Sequence, residues 1–386
     1  MKKIVVSFLS LLILGSLAPY SALAAEGEEL DIKSEAASVV DAKTGKILYQ
    51  KNGDKKLYPA SLTKIATAIY AIENGHLNDH VVVSHNAANV DGTRVYLLEG
   101  EDVTLKHLIQ GMLVNSGNDA AIAIAEHLDG SVDEFSKNIN AYLRSKVGVY
   151  HTHFVNPNGL FDEEHFTTAN DLAKITDYAM KNPTFRQIFG TKTLKWHGDG
   201  WDTTLITHHK MLKEEIPFPG ITGGKTGYVD QSGQTLATTA QNQNIDLTAI
   251  TLNGTTKKSA YGDTKKLLEY GMTHYKTERV PEGSIFKKKD NAYKAEHDLY
   301  FTKGSGENVT KKVEKSGFLK IISKTGEVVA VFPLHELKAK ASEGNKDSTS
   351  EDSAKKHSSL NLLLCSGIFL LICITILFKK IKKSSA

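Results

Sequence analysis

The chain has 386 residues, 24% of them charged and 40% apolar, with 30 glycines, 8 prolines and 2 cysteines. That is enough for about two to three domains, and the composition excludes a collagen, a disulfide-stapled miniprotein and wholesale disorder. The formal charge of +3 comes from Lys2 and Lys3 at the start and Lys379, Lys380, Lys382 and Lys383 at the end. Without these six, 41 basic residues face 44 acidic ones, so there is no basic footprint for a nucleic-acid partner.

In chain order, Met1-Lys2-Lys3, an apolar run from Ile4 to Leu17 and the small-residue exit Ala22-Leu23-Ala24 predict a secretory signal peptide over 1–24. Ala37–Asp41 and Lys46–Gln50 flank Ala42-Lys43-Thr44-Gly45 and predict a hairpin. Apolar residues at helical spacing predict helices over Leu62–Asn74, Leu105–Val114, Asp119–Leu128 and Val132–Lys146. Thr235–Thr239 and Ile245–Asn253 read as neighbouring strands, and Lys257–Tyr275 as a closing helix. Strands at both ends with helices between give an α+β layered domain over 33–276. From 277 to 338 short strands and turns, such as Gly317–Ser323 and Glu327–Phe332 around Lys324-Thr325-Gly326, indicate a small all-β domain.

Residues 339–358 are small, polar and charged, a solvated stalk. Leu360–Phe378 carries no formal charge and is long enough, at 1.5 Å rise per residue, to span about 28 Å of hydrocarbon. The lysines of the tail, 379–386, follow at once. Positive charge stays on the cytoplasmic side, so the expectation is a single-pass membrane protein with its body on the extracellular face. Cys365 and Cys373 both lie in this span, which leaves the exported body without a thiol nucleophile or thiolate metal site.

Three short motifs carry chemistry. In Ser61-Leu62-Thr63-Lys64 the hydroxyl and the amine are one helical turn apart on one face. A serine is a poor nucleophile until a base takes its proton, and a lysine is such a base when burial or nearby positive charge lowers its pKa. The helix start adds free N–H groups suited to an oxyanion. Ser116-Gly117-Asn118 is a tight polar turn between two apolar helices, where small polar groups can project into a cleft. Lys225-Thr226-Gly227 follows Gly223-Gly224 and differs from the two other Lys-Thr-Gly copies, at 43 and 324, which sit in hairpin turns. Its lysine and threonine can hold a carboxylate, and its charge can keep Lys64 neutral. His151, His153, Asp162, Glu163 and His165 form the best candidate zinc cluster, but solvated or packed histidines explain them better; the expectation is no metal and no cofactor.

The ordered set Ser-x-x-Lys, Ser-x-Asn, Lys-Thr-Gly is known from class A β-lactamases and penicillin-binding proteins. With Pro59-Ala60 before Ser61, Asn115-Ser116-Gly117-Asn118-Asp119-Ala120, Asn156-Pro157-Asn158-Gly159 and Thr168-Ala169-Asn170-Asp171, the chain resembles the low-molecular-mass penicillin-binding proteins that are serine D-alanyl-D-alanine carboxypeptidases. The resemblance implies a β-lactamase/transpeptidase-like fold, a five-stranded antiparallel sheet with helices on both faces, plus a C-terminal β domain. It implies Ser61 as acylated nucleophile, Lys64 as its base, and Ser116 and Asn118 for proton transfer and the substrate amide. Lys225, Thr226 and Gly227 would bind substrate, and the N–H groups of Ser61 and Tyr228 would form the oxyanion hole. The implied partners are a peptidoglycan stem peptide ending in D-Ala-D-Ala and, as covalent inhibitors, β-lactams. A β-lactamase would need a deacylating glutamate, with Glu163 and Glu164 as the candidates weighed.

Overall fold

The computed structural model describes residues 30–337. The expected signal peptide, stalk, membrane span and tail lie outside the described residues, among which no helix is long and apolar enough to cross a membrane.

Five antiparallel strands make the central sheet: β1 (Ala36–Asp41), β2 (Ile47–Lys51), β3 (Ile221–Val229), β4 (Gly233–Gln241) and β5 (Asp246–Gly254), in the order β2-β1-β5-β4-β3. The chain's first and last strands of the domain therefore lie side by side in its middle, and β3 is an edge. Alternation along the strands sorts the two faces. Ala36, Val40, Ile250 and Leu252 point into the larger core, whereas Ala37, Val39, Leu247 and Ala249 point to the other side.

The larger core is filled by α1 (Thr63–Asn74), α2 (Leu105–Val114), α3 (Asn118–Asp129), α4 (Val132–Tyr142), α5 (Ala169–Met180) and α6 (Pro183–Phe189). Every residue of α1 from Thr63 to Tyr70, and Ala71 after it, is buried, as expected of a helix that runs through a core and not along its surface. The opposite face is covered by α7 (Lys257–His274), through Tyr261, Leu267 and Leu268.

The hairpin and the helices expected from the sequence are present with shifts of a residue or so, except that the helix expected over Val132–Lys146 turns into a π segment at Leu143–Val147 and stops at Gly148, which adopts φ +75°. Beyond the elements expected from the sequence, the structure has α5, α6, the short helix His85–Ala88, and the strand pairs His80–Val82 with Asp102–Thr104 and Thr193–His197 with Asp202–Ile206.

Helix α7 runs directly into Tyr275–Val280, which pairs with Leu299–Gly304. The remaining strands form two three-stranded sheets around Val280, Leu299, Phe301, Leu319 and Ile321. This β module is tied to the sheet at Asp41, whose buried carboxylate accepts hydrogen bonds from Thr277 Oγ1 and Thr302 Oγ1, each at 2.7 Å.

Candidate active site

Ser61 lies in a single 3₁₀ turn, Ala60–Leu62, leading into α1. Three contacts hold that turn. Thr235 on β4 donates to the Pro59 carbonyl at 3.0 Å. Thr63 Oγ1 donates to the Ala60 carbonyl at 2.9 Å and meets His165 Nε2 at 2.8 Å. Gly159, at φ +82°, packs so closely that a Cβ there would lie 1.9 Å from the Ala60 oxygen. Under these constraints Ala60 adopts φ +48°; across the cleft Ser116 also has a left-handed backbone, at φ +65°. Left-handed backbone at a non-glycine costs about 1–3 kcal/mol and persists only where the surroundings over-determine it.

Lys64 is fully buried, and its Nζ lies 3.0 Å from Ser61 Oγ, 2.7 Å from Asn118 Oδ1 and 2.6 Å from the Asn158 carbonyl. Burial drives its pKa well below the usual lysine value, the nearby Lys225 cation lowers it further, and Asp119 opposes them. A neutral amine has two N–H donors and one lone pair. In that neutral form Asn118 Oδ1 and the Asn158 carbonyl would accept the two N–H groups, which would leave the lone pair for the Ser61 hydroxyl. Asn118 is fixed in turn by donating Nδ2–H to the Asp91 carbonyl at 2.6 Å.

Lys225 is also buried, donating to Ser116 Oγ and to the Thr226 carbonyl, both at 2.9 Å. Burial alone pushes its pKa down to about 7. Thr226 faces a cleft of about 490 Å³ bordered by Ser61, Thr93, Ser116, Tyr228 and Thr235, whereas Lys225 lies beneath it. Gly227 passes so close to Ser61 that a Cβ on it would come 2.8 Å from the Ser61 nitrogen. The structure thus gathers every sequence-predicted site residue around Ser61: Lys64 hydrogen-bonded to it, Asn118 committed to Lys64, Ser116 on the same cleft and hydrogen-bonded to Lys225, and Lys225, Thr226, Gly227 and Tyr228 along the edge strand.

Several contributors were missed by sequence reasoning. The Asn158 carbonyl is one. Asp119 is another: its buried carboxylate accepts from the amides of Val95 and Leu97, at 2.9 and 3.2 Å, and so fixes the loop carrying Asp91 and Thr93. The third is His165, grouped in the sequence with possible zinc ligands. Its ring stacks on Phe154 and accepts the Val155 amide at Nδ1, so Nε2 carries the proton toward Thr63. Burial drives it down to about 3. Glu163 and Glu164 are exposed and do not border the cleft.

A family model described as D-alanyl-D-alanine carboxypeptidase matches residues 22–256. The chain belongs to this family. It is 31% identical over 289 residues to the D-alanyl-D-alanine carboxypeptidase DacF of Bacillus subtilis, covering 72% of each chain. It is 29% identical over 287 residues to DacA of Escherichia coli, covering 66% of this chain and 67% of that protein. Among solved structures, penicillin binding protein 5 of Haemophilus influenzae superposes with a TM-score of 0.71 at 24% identity, over 81% of this chain and 98% of the other, which shows a shared fold. The D-alanyl-D-alanine carboxypeptidase of Mycobacterium tuberculosis superposes with a TM-score of 0.60 at 28% identity, over 64% and 94%. The family's α+β transpeptidase-like fold is the one expected from the three motifs.

Proposed function

We propose that this chain is a serine-type D-Ala-D-Ala carboxypeptidase that removes the terminal D-alanine from peptidoglycan stem peptides. The observation that carries the reading is the 3.0 Å approach of a fully buried, charge-depressed Lys64 amine to Ser61 Oγ. Lys64 takes the hydroxyl proton as Ser61 Oγ attacks the carbonyl between the last two D-alanines. The negative oxygen so formed is held by the N–H groups of Ser61 and Tyr228. Ser116, hydrogen-bonded to Lys225, gives its hydroxyl proton to the departing nitrogen and takes one in turn from the Lys64 ammonium, which leaves Lys64 neutral again; the C–N bond breaks and free D-alanine leaves. Water then attacks the ester, its proton passing to the neutral Lys64, which hands it to Ser61 Oγ as the ester C–O bond breaks, and Ser61 is restored.

The substrate's terminal carboxylate is held at Thr226, backed by the charge of Lys225. Its backbone lies along the outer side of the edge strand β3, where backbone groups have no partner strand. A β-lactam presents a carboxylate and a strained amide to the same groups and acylates Ser61, but its opened ring stays attached. A shortened stem cannot serve as a cross-linking donor, so the activity limits cross-linking. We place the body on the extracellular face, exported through the 1–24 signal and tethered by the 360–378 span; the apolar runs and the flanking lysines support this address.

The test is D-alanine release from a peptide ending in D-Ala-D-Ala. The protein should release it, Ser61→Ala should not, and chelator should change nothing; release by Ser61→Ala at the native rate would refute the proposal.

A further inference from the structure

The active-site cleft continues past Tyr261 into a second hollow of about 570 Å³ along the outer face of α7. Lys210, Lys257 and Tyr261 border both hollows, and Lys258 and Lys265 line the outer one. Among the described residues, no aspartate or glutamate lines either. Lys257 and Lys258 are exposed and have no hydrogen bond or ion pair among the described residues. They occupy the first two positions of an 18-residue helix with no acid in its first turn, where the helix's own field disfavours cations. Lys265 and Lys210 have only exposed carboxylates at 3.7 and 3.6 Å, from Glu269 and Glu215, pairs of the kind that solvent screens heavily. Lys213, on the cleft side, has Glu215 at 2.8 Å. The same positive field acts on His208: although its ring reaches solvent, partial burial and then Lys225, Lys213 and Lys257 hold its pKa down to about 4.

The groove is placed to meet substrate. Tyr228 pairs with Gln234, Gln234 pairs with Gly254, and Gly254 leads within three residues to Lys257. Lys257 therefore stands behind the Tyr228 end of the edge strand. With the terminal carboxylate at Thr226 and the oxyanion at Tyr228, that is the side from which the rest of the stem peptide arrives. We infer that this lysine-lined groove is a subsite for carboxylates carried by the substrate upstream of its terminal D-alanine pair, an inference that rests on the carboxypeptidase reading. A concave groove continuous with the catalytic cleft suits a peptide chain better than a flat membrane surface.

The experiment uses two synthetic peptides ending in D-Ala-D-Ala, identical except that one upstream carboxylate is free in the first and amidated in the second. For the wild type, the free carboxylate should lower KM about tenfold with kcat unchanged, the sum of a few exposed ion pairs. Salt should shrink that preference. In Lys258→Gln/Lys265→Gln, which touches neither Ser61 nor the oxyanion hole, the preference should fall to about twofold, while turnover of the amidated peptide stays as it was. Lys258→Glu/Lys265→Glu should invert it. Equal KM values for the two peptides in the wild type, or a preference untouched by both double variants, would overturn the groove alone. Binding to anionic phospholipid vesicles with no peptide preference would assign the lysines to a membrane and overturn it too. Failure to hydrolyse either peptide, together with no penicillin adduct on Ser61, would bring down the carboxypeptidase reading and the groove with it.

Discussion

Gly227→Ala probes the approach of the edge strand to the nucleophile. The added methyl would sit 2.5 Å from Thr235 Oγ1, 2.8 Å from the Ser61 nitrogen and 3.1 Å from Ala60 Cβ. Something must move, and each neighbour is already engaged: Thr235 holds the Pro59 carbonyl, and Ala60 is fixed in its left-handed conformation. Overpacking of this kind costs about 1–3 kcal/mol of stability. The catalytic loss is larger, because the methyl crowds the N–H of Ser61. Loss of one oxyanion donor costs about 3–4 kcal/mol, or about 10²- to 10³-fold in rate. The assay is the second-order rate constant for acylation by a fluorescent penicillin, measured beside Tm. We expect acylation to fall at least a hundredfold while Tm drops by a few degrees. The control is Gly262→Ala on α7, where a Cβ meets nothing within 4 Å; it should acylate normally and gain up to about 1 kcal/mol from helix propensity. Acylation of Gly227→Ala within threefold of the wild type would refute the argument that this strand and Ser61 form one site.

Two further outcomes follow from the buried charges. Lys225→Met removes the cation that helps strip Lys64 of its proton, so Lys64 holds that proton to higher pH and the acid limb of the acylation profile moves upward; the deficit should be largest below about pH 7, where Lys225 is charged in the wild type, and an unshifted limb would contradict the coupling. Asp177 on α5 is buried, accepts a hydrogen bond from Thr248 and is raised to about 7 from 3.8, chiefly by burial. A raised acid stabilises nothing above its unfolded pKa: its cost begins near pH 3.8, grows with pH and is complete by about pH 7, reaching about 4 kcal/mol. Asp177→Asn should therefore stabilise the protein by a few kcal/mol at pH 8 and by little at pH 4 in urea unfolding; equal effects at both pH values would count against it.

The sequence made some of this legible because the chemistry is local. Ser61 and Lys64 are three residues apart on a helix, and their meeting needs no tertiary information. The turn Ala42-Lys43-Thr44-Gly45 after Ala37–Asp41 and the helical spacing in Leu105–Val114 likewise read directly as a hairpin and a helix. What stayed hidden depends on long-range approach. Lys64 reaches Asn118 and Asn158, 54 and 94 residues away, and Lys225 reaches Ser116 across 109. No local pattern marks a backbone carbonyl as the group that aims a lysine, or Asp119 as the anchor of a loop 22–24 residues earlier. The burial of Lys225 was hidden for the same reason: in the sequence a lysine after two glycines looks available to substrate, yet the fold covers it and leaves Thr226 at the surface of the cleft.

The central claim, that Ser61 is the acylated residue and that a neutral Lys64 makes it so, meets its most direct test in peptide mass mapping after exposure to penicillin. The penicillin mass should be found on the peptide containing Ser61, in the wild type and at strongly reduced yield in Lys64→Met, and on no peptide of Ser61→Ala. An adduct on another residue, or full-yield labelling of Ser61 at the native rate without the Lys64 amine, would contradict the account.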